Sequence, residues 1–99
     1  MKSVTINTLN NHKAAGDKFP VITAYDSAFA RQIELAGIDV ILVGDSLGNV
    51  ILGYTSTVPV TMDDMLHHTG AVSRGNSKSL IIADMPYMSY ATEEDTLAN

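Results

Sequence analysis

The 99-residue chain contains no cysteine, and its six basic residues are outnumbered by eleven acidic ones. The lack of cysteine excludes disulfides, thiolate metal sites and cysteine nucleophiles. The net charge of −5, with no basic patch or stripe, disfavours nucleic acid and anionic membranes as partners. No signal-peptide core is present, and no apolar run approaches the length of a membrane span. We therefore expect a cytoplasmic protein that binds neither nucleic acid nor membrane.

Motifs that would bind a nucleotide or zinc are also missing. Gly44 and Gly48 are not followed by a lysine in the position that a P-loop requires, which argues against nucleotide binding. His67 and His68 are adjacent on a predicted helix, so their side chains point about 100° apart and cannot hold one metal ion together. His12 has no second ligand at zinc spacing. We interpret the histidines as structural or surface residues.

Helix and strand patterns alternate along a chain that is 45% hydrophobic and 17% charged, which predicts an α/β fold with a real core. A complete α/β barrel usually needs about 250 residues. The sequence therefore predicts residues 1–99 to be the N-terminal part of one larger domain, truncated at its C-terminal end. The predicted strands are Phe19–Thr23, Val40–Val43 and Leu80–Ala83, and the predicted helices are Thr5–Ala15, Ser27–Ala36, Thr61 to near Gly75, and one from Thr92.

Apolar positions at helical spacing predict which side chains these helices bury. The expected buried residues are Ile6 and Leu9 in the first helix, Phe29, Ala30, Ile33 and Ala36 in the second, and Met62, Met65, Leu66 and Val72 in the third. Residues 44–60 form a connection longer than is usual in a compact domain, which favours a lid or binding loop at the carboxyl ends of the strands.

Two aspartates follow directly on apolar runs. Asp45 comes after Val40–Val43 and one glycine, and Asp84 comes after Leu80–Ala83. If the two runs are neighbouring parallel strands, both carboxylates emerge at one sheet edge, with the strands about 4.8 Å apart. Two carboxylates that close repel one another unless a cation lies between them, and a divalent cation with oxygen ligands is the simplest candidate. From the residues alone, a shared cation and separate structural roles for the two aspartates are equally open.

Other polar residues at this edge have structural explanations. Asp26 precedes a helix and is best explained as its N-cap. Ser46 could stabilise a turn by a local hydrogen bond, or its hydroxyl could face a substrate oxygen. The tyrosines after strand ends or in the long connection could line a pocket or pack over the core edge, and they are Tyr25, Tyr54, Tyr87 and Tyr90.

Several motifs in order resemble the ketopantoate hydroxymethyltransferase family. The resemblance runs from Thr23-Ala24-Tyr25-Asp26 to Tyr90-Ala91-Thr92, and its most specific segments are Val43-Gly44-Asp45-Ser46-Leu47-Gly48, Ser56-Thr57-Val58-Pro59-Val60-Thr61 and Ala83-Asp84-Met85-Pro86. It implies a (β/α)₈ TIM-type barrel, of which this chain would form a short N-terminal helix and the first three β/α units. It also implies a homo-oligomer of decamer type.

The resemblance implies the following chemistry. A hydroxymethyl group passes from 5,10-methylenetetrahydrofolate to 3-methyl-2-oxobutanoate and gives 2-dehydropantoate in pantothenate biosynthesis. Asp45 and Asp84 match the family's Mg²⁺ ligands, and with Ser46 they match its oxoacid-binding residues. The family's general base is a glutamate from a later strand, so no catalytic base is expected here, and residues 1–99 alone are expected to be inactive. Competing interpretations are a related Mg²⁺-dependent 2-oxoacid lyase or mutase, and a non-catalytic half-barrel that pairs with a complementary half.

Overall fold

The structure, a computed structural model, describes residues 3–99. This part of the chain forms a parallel sheet of three strands in the order β1-β2-β3, with helices in the connections. The α/β architecture predicted from the sequence is confirmed. The elements in chain order are α1 Ile6–Ala15, β1 Val21–Thr23, α2 Ser27–Leu35, β2 Val40–Val43, α3 Leu47–Val50, α4 Met62–Gly75, β3 Leu80–Ala83 and α5 Glu93–Ala98.

The register makes the carboxyl ends of the strands level with one another. Leu42 of β2 lies opposite Thr23 of β1 and opposite Ile82 of β3. Val43 then lies opposite Ala83, the last residue of β3. The chain segments that follow the three strands therefore leave the sheet side by side, at a single edge.

Helices α2 and α4 pack against each other and cover one face of the sheet. The core between them contains Ala30 and Ile33 of α2 and Met65 and Val72 of α4, together with Ile41 and Val43 of β2. The start of α4 is fixed by Thr61, whose hydroxyl accepts from the Asp64 amide while the Asp64 carboxylate accepts from the Thr61 amide. This capping box begins the helix at the position where the sequence predicts it to begin.

Helix α1 lies at the opposite end of the sheet from the two aspartates. The Val4 amide donates to the Lys78 carbonyl over 2.7 Å, just before β3 begins. His12 Nε2 is 3.4 Å from the carboxylate of Asp39, which precedes β2. These contacts place α1 across the amino ends of β2 and β3.

Several predicted details are wrong. Ile6 is 62% exposed, because polar contacts rather than an apolar stripe hold α1 in place. Phe29 and Leu66 are also exposed, and so is Ala36, because α2 and α4 contact the sheet and each other along a narrow strip. The first strand begins at Val21, because Pro20 has no amide hydrogen for the sheet.

The long connection is not a plain loop, because α3 forms inside it and buries Leu47 and Gly48. Within residues 3–99, no helix is both long and apolar enough to cross a membrane.

Candidate metal and substrate site

The structure brings Asp45 and Asp84 together at the carboxyl edge of the sheet. The Asp84 amide donates to the Val43 carbonyl over 2.9 Å, which continues the β2–β3 ladder by one residue. The Asp45 amide in turn donates to Asp84 Oδ2 over 3.0 Å. Both carboxylates are half-buried. One oxygen of Asp84 is thus held in position by the backbone beside the other aspartate.

Polar side chains at this edge of the sheet lie close to the backbone of Gly44. Gly44 is buried, and a Cβ placed on it would lie 3.3 Å from Asp84 Oδ2 and 3.3 Å from Ser46 Oγ. Both oxygens therefore border the same small volume beside Gly44. The missing side chain leaves a polar recess between the carboxylate and the hydroxyl.

The charge of the pair is not balanced inside the described part of the chain. Across residues 3–99, the close contacts between a basic side chain and a carboxylate are those of His12 with Asp17 and Asp39, and neither involves Asp45 or Asp84. Two negative side chains at one sheet edge, without a basic neighbour, favour the binding of a cation.

The donor chemistry fits Mg²⁺. Carboxylate oxygens are hard ligands, and Mg²⁺ is commonly held by one or two carboxylates while water and substrate oxygens fill its other positions. Among the described residues, no cluster of three or more histidine, aspartate or glutamate side chains could hold a metal ion. Asp45 and Asp84 would therefore supply two ligands and leave the remaining positions open.

Ser46 occupies the first position before α3, but its hydroxyl makes no capping hydrogen bond there. Ser46 Oγ instead lies 2.6 Å from the phenolic oxygen of Tyr25, which follows β1. The interpretation of Ser46 as a local turn stabiliser is therefore wrong. Its hydroxyl is tied to the neighbouring strand and borders the recess at Gly44.

Tyr25 is anchored by a histidine on α4. His68 Nδ1 lies 2.8 Å from the Tyr25 carbonyl oxygen. A carbonyl can only accept, so Nδ1 carries the hydrogen and donates it. The sequence predicts a structural or surface role for His68, and this contact is a structural one, but the sequence does not predict the partner. Tyr25 is distinguished from the other tyrosines in the sequence only by its place directly after β1.

Asp26 takes no part in the carboxylate pair. Its Oδ1 accepts from the Phe29 amide over 2.8 Å and caps α2, as the sequence predicts. Glu93 and Glu94 lie in the exposed first turn of α5, which follows β3 along the chain.

A cavity of about 470 Å³ lies elsewhere, between α5 and the turn before it. Its lining includes Tyr90, Thr92 and Leu97 but none of the residues at the carboxylate pair. Cavity volume alone is a poor guide to the functional site in this chain, because a three-stranded sheet cannot enclose a recess at its own edge.

Comparison with known proteins identifies the family of the chain. The sequence profile of the ketopantoate hydroxymethyltransferase family matches residues 3–99. The 3-methyl-2-oxobutanoate hydroxymethyltransferase of Marinobacter nauticus is 56% identical over 97 residues, which are 98% of this chain and 37% of that protein. The enzyme of the same name from Alcanivorax borkumensis is 61% identical over 95 residues, or 96% of this chain and 36% of that protein. The corresponding protein of Caldicellulosiruptor bescii is 56% identical over 93% of this chain and 35% of its own length.

The chain thus spans little more than a third of the length of these curated relatives. A profile match over almost every residue nevertheless settles the family. The chain belongs to the ketopantoate hydroxymethyltransferases.

Proposed function

We propose that a full-length protein carrying this segment transfers a hydroxymethyl group from 5,10-methylenetetrahydrofolate to 3-methyl-2-oxobutanoate, giving 2-dehydropantoate for pantothenate biosynthesis. The observation that carries the proposal is the hydrogen bond from the Asp45 amide to Asp84 Oδ2, which holds the Asp84 carboxylate beside the backbone of Asp45 at one sheet edge. The proposal also includes a (β/α)₈ barrel of which residues 1–99 form the first three units, a cytoplasmic location and a homo-oligomer.

Asp45 and Asp84 would hold Mg²⁺. When bound, the ion supplies Lewis-acid polarisation of the keto group of the oxoacid, which acidifies the adjacent C3 hydrogen. The Asp45 amide restrains one oxygen of Asp84, so the carboxylate is oriented before any ligand arrives. Such preorganisation lowers the cost of ordering the site on binding.

Ser46 would bind the carboxylate of 3-methyl-2-oxobutanoate. Its hydroxyl borders the recess at Gly44, as does Asp84 Oδ2. A hydroxyl that donates to a carboxylate makes a charge-assisted hydrogen bond, which is about twice as strong as a neutral one. Ser46 would thereby fix which end of the oxoacid faces the aspartates.

The step that removes the C3 proton needs a base from outside this segment. In residues 3–99 the two aspartates would be committed to the cation, and the glutamates of α5 are exposed residues of a helix first turn. The described residues therefore form the metal and carboxylate half of the proposed site. The folate co-substrate and the base would be bound by the rest of the protein.

The proposal is tested with Asp45→Asn and Asp84→Asn in the full-length protein. Each change removes a charged ligand, and we expect Mg²⁺-dependent binding of 3-methyl-2-oxobutanoate, measured by calorimetry, to weaken at least about tenfold. Transferase turnover and deuterium exchange at C3 should fall with it. Asp63→Asn, which neutralises an exposed acid on α4, is the control and should behave like the parent protein. Full Mg²⁺-dependent binding in either site variant would refute the assignment.

A further inference from the structure

One contact at the site crosses from β1 to β2 and is made by two hydroxyls. Tyr25 Oη and Ser46 Oγ are 2.6 Å apart, a short hydroxyl–hydroxyl distance, and both residues are half-buried. The residues are 21 positions apart in sequence, so the contact depends on the parallel pairing of the two strands. Capping and core packing both leave it unexplained.

The backbone around Tyr25 is held on both sides. The Ala24 amide donates to the Leu42 carbonyl over 3.2 Å, and Asp26 caps the helix that follows. The Tyr25 carbonyl accepts from His68 Nδ1 on α4. The phenol therefore rests on a fixed main chain, whereas the free rotation of a serine hydroxyl must be restrained by its partner.

We propose that Tyr25 is a positioning residue for Ser46, and this inference rests on the proposed function. The Tyr25 phenol donates to Ser46 Oγ, which leaves the Ser46 hydrogen to donate to a carboxylate oxygen of the oxoacid. A phenol is a better donor than an aliphatic alcohol, and Ser46 can accept from one side while it donates on the other. A chain of hydrogen bonds in one direction also polarises its members, so Ser46 becomes a stronger donor.

The direction of this chain explains how a single serine could hold an anion. Without the phenol, the serine hydroxyl could turn among its staggered positions and would compete for the nearby Asp84 carboxylate as acceptor. The Tyr25 hydrogen occupies one lone pair of Ser46 Oγ and directs the Ser46 hydrogen away from Tyr25. His68 contributes indirectly, because it fixes the backbone carbonyl of Tyr25.

The test is a double-mutant cycle in the full-length protein, with Tyr25→Phe, Ser46→Ala and the combined variant. Calorimetry measures two quantities separately, the affinity for Mg²⁺ alone and the affinity for 3-methyl-2-oxobutanoate at saturating Mg²⁺. We expect Tyr25→Phe to weaken the oxoacid about tenfold, as expected for a hydrogen bond to a charged group, and to leave Mg²⁺ affinity within about twofold. The combined variant should bind the oxoacid no more weakly than Ser46→Ala alone, because Tyr25 acts only through Ser46.

Tyr90→Phe is the matched control, since it removes the hydroxyl of an exposed tyrosine, and it should leave both affinities unchanged. Additive losses in the cycle would mean that Tyr25 contacts the oxoacid itself, and they would overturn the assignment. Equal losses of Mg²⁺ and oxoacid affinity in Tyr25→Phe would overturn it too, because the phenol would then support the whole edge.

If the parent protein bound Mg²⁺ but no oxoacid, the proposed function would fail first and the inference with it. Normal oxoacid binding in Tyr25→Phe would overturn the inference alone.

Discussion

Gly44 shows how the absence of one side chain shapes the site. We predict that Gly44→Ala weakens both Mg²⁺ and 3-methyl-2-oxobutanoate binding about tenfold, because the new methyl group would press on Asp84 Oδ2 and Ser46 Oγ at 3.3 Å. Calorimetric titration of the full-length variant measures both affinities. Gly70→Ala, on α4, is the control that adds a methyl group away from the recess. Unchanged affinities in Gly44→Ala would show that the recess is not where the ligands bind.

At the scale of single residues, the sequence predicts where a side chain lies better than it predicts which group that side chain contacts. Asp45 and Asp84 could be placed at one edge because each follows an apolar run, and the cap role of Asp26 follows from its position before a helix. The contact between Tyr25 and Ser46 could not be predicted. It depends on which residues of β1 and β2 are paired and on side-chain torsions, and neither is encoded by local pattern. Whether the aspartates bind Mg²⁺ stays a prediction.

The packing of α2 against α4 depends on a glycine at the end of α4. A Cβ on Gly75 would collide with the Ser27 carbonyl oxygen and lie 2.8 Å from Ser27 Cα, so the two helices must separate to admit it. We predict that Gly75→Ala lowers the free energy of unfolding by about 1–3 kcal/mol, the usual cost of overpacking. Urea unfolding of the full-length protein, followed by circular dichroism, measures the change.

Gly70 on the same helix is the matched control. A Cβ there meets only the Arg74 guanidinium, the far end of a flexible side chain, at 3.2 Å. Gly70→Ala should therefore raise the free energy of unfolding by up to about 1 kcal/mol through helix propensity. Equal effects of the two substitutions would contradict the close approach of Gly75 to Ser27. Helix propensity would then be the only cause of the change in the free energy of unfolding.

A carboxylate links α2 to the turn before β3. Glu34 Oε1 accepts from the Ser77 amide and the Ser77 hydroxyl, each over 3.0 Å. These hydrogen bonds, with the amide the larger cause, lower the pKa of Glu34 below its ordinary value of 4.5. A lowered pKa in the folded state stabilises the fold above the ordinary pKa, and this stabilisation is lost as the pH falls through the folded value.

We therefore predict that Glu34→Gln lowers stability at pH 7 and makes it less sensitive to acid below pH 4.5. Urea midpoints of the full-length protein at several pH values between neutral and strongly acidic measure the difference from the parent. Ser77→Ala keeps the amide donor and loses the hydroxyl, so it should retain the larger part of the pH dependence. If Glu34→Gln lost stability with falling pH as steeply as the parent protein does, the role of this contact would be contradicted.

Element boundaries were predictable where a chemical signal marks them. The capping box at Thr61 fixed the start of α4, and Val40–Val43 and Leu80–Ala83 were predicted at their observed bounds. Helix α3 was missed because four residues are too few to show a helical period. The exposure of Leu66 was missed for another reason, since periodicity reports a helix face but not how much of that face a neighbour covers.

Over the whole molecule, one face of the sheet remains partly uncovered, although Val40 on that face is buried. Ile41 and Val43 point into the core beneath the helices, so the alternate residues of each strand point to the other side. Val21 and Ile82 belong to rows on that other side and are 49% and 43% exposed. Within residues 3–99, β1 and β3 each pair only with β2, so both outer edges have free backbone groups. Apolar side chains and open edges together favour association.

We predict that residues 1–99, expressed alone, self-associate at micromolar concentration and have no transferase activity. Association should follow from the uncovered sheet face, and inactivity from the lack of a base beside the recess. Sedimentation velocity over a concentration series measures the first, and product formation in the presence of Mg²⁺ and both substrates measures the second. Ile82→Lys places a charge on the uncovered part of this face and should reduce association, whereas Leu66→Lys, at an even more exposed position on α4, should not. A monodisperse monomer would show that this face tolerates water, and measurable turnover would show that a residue of this segment can act as the base.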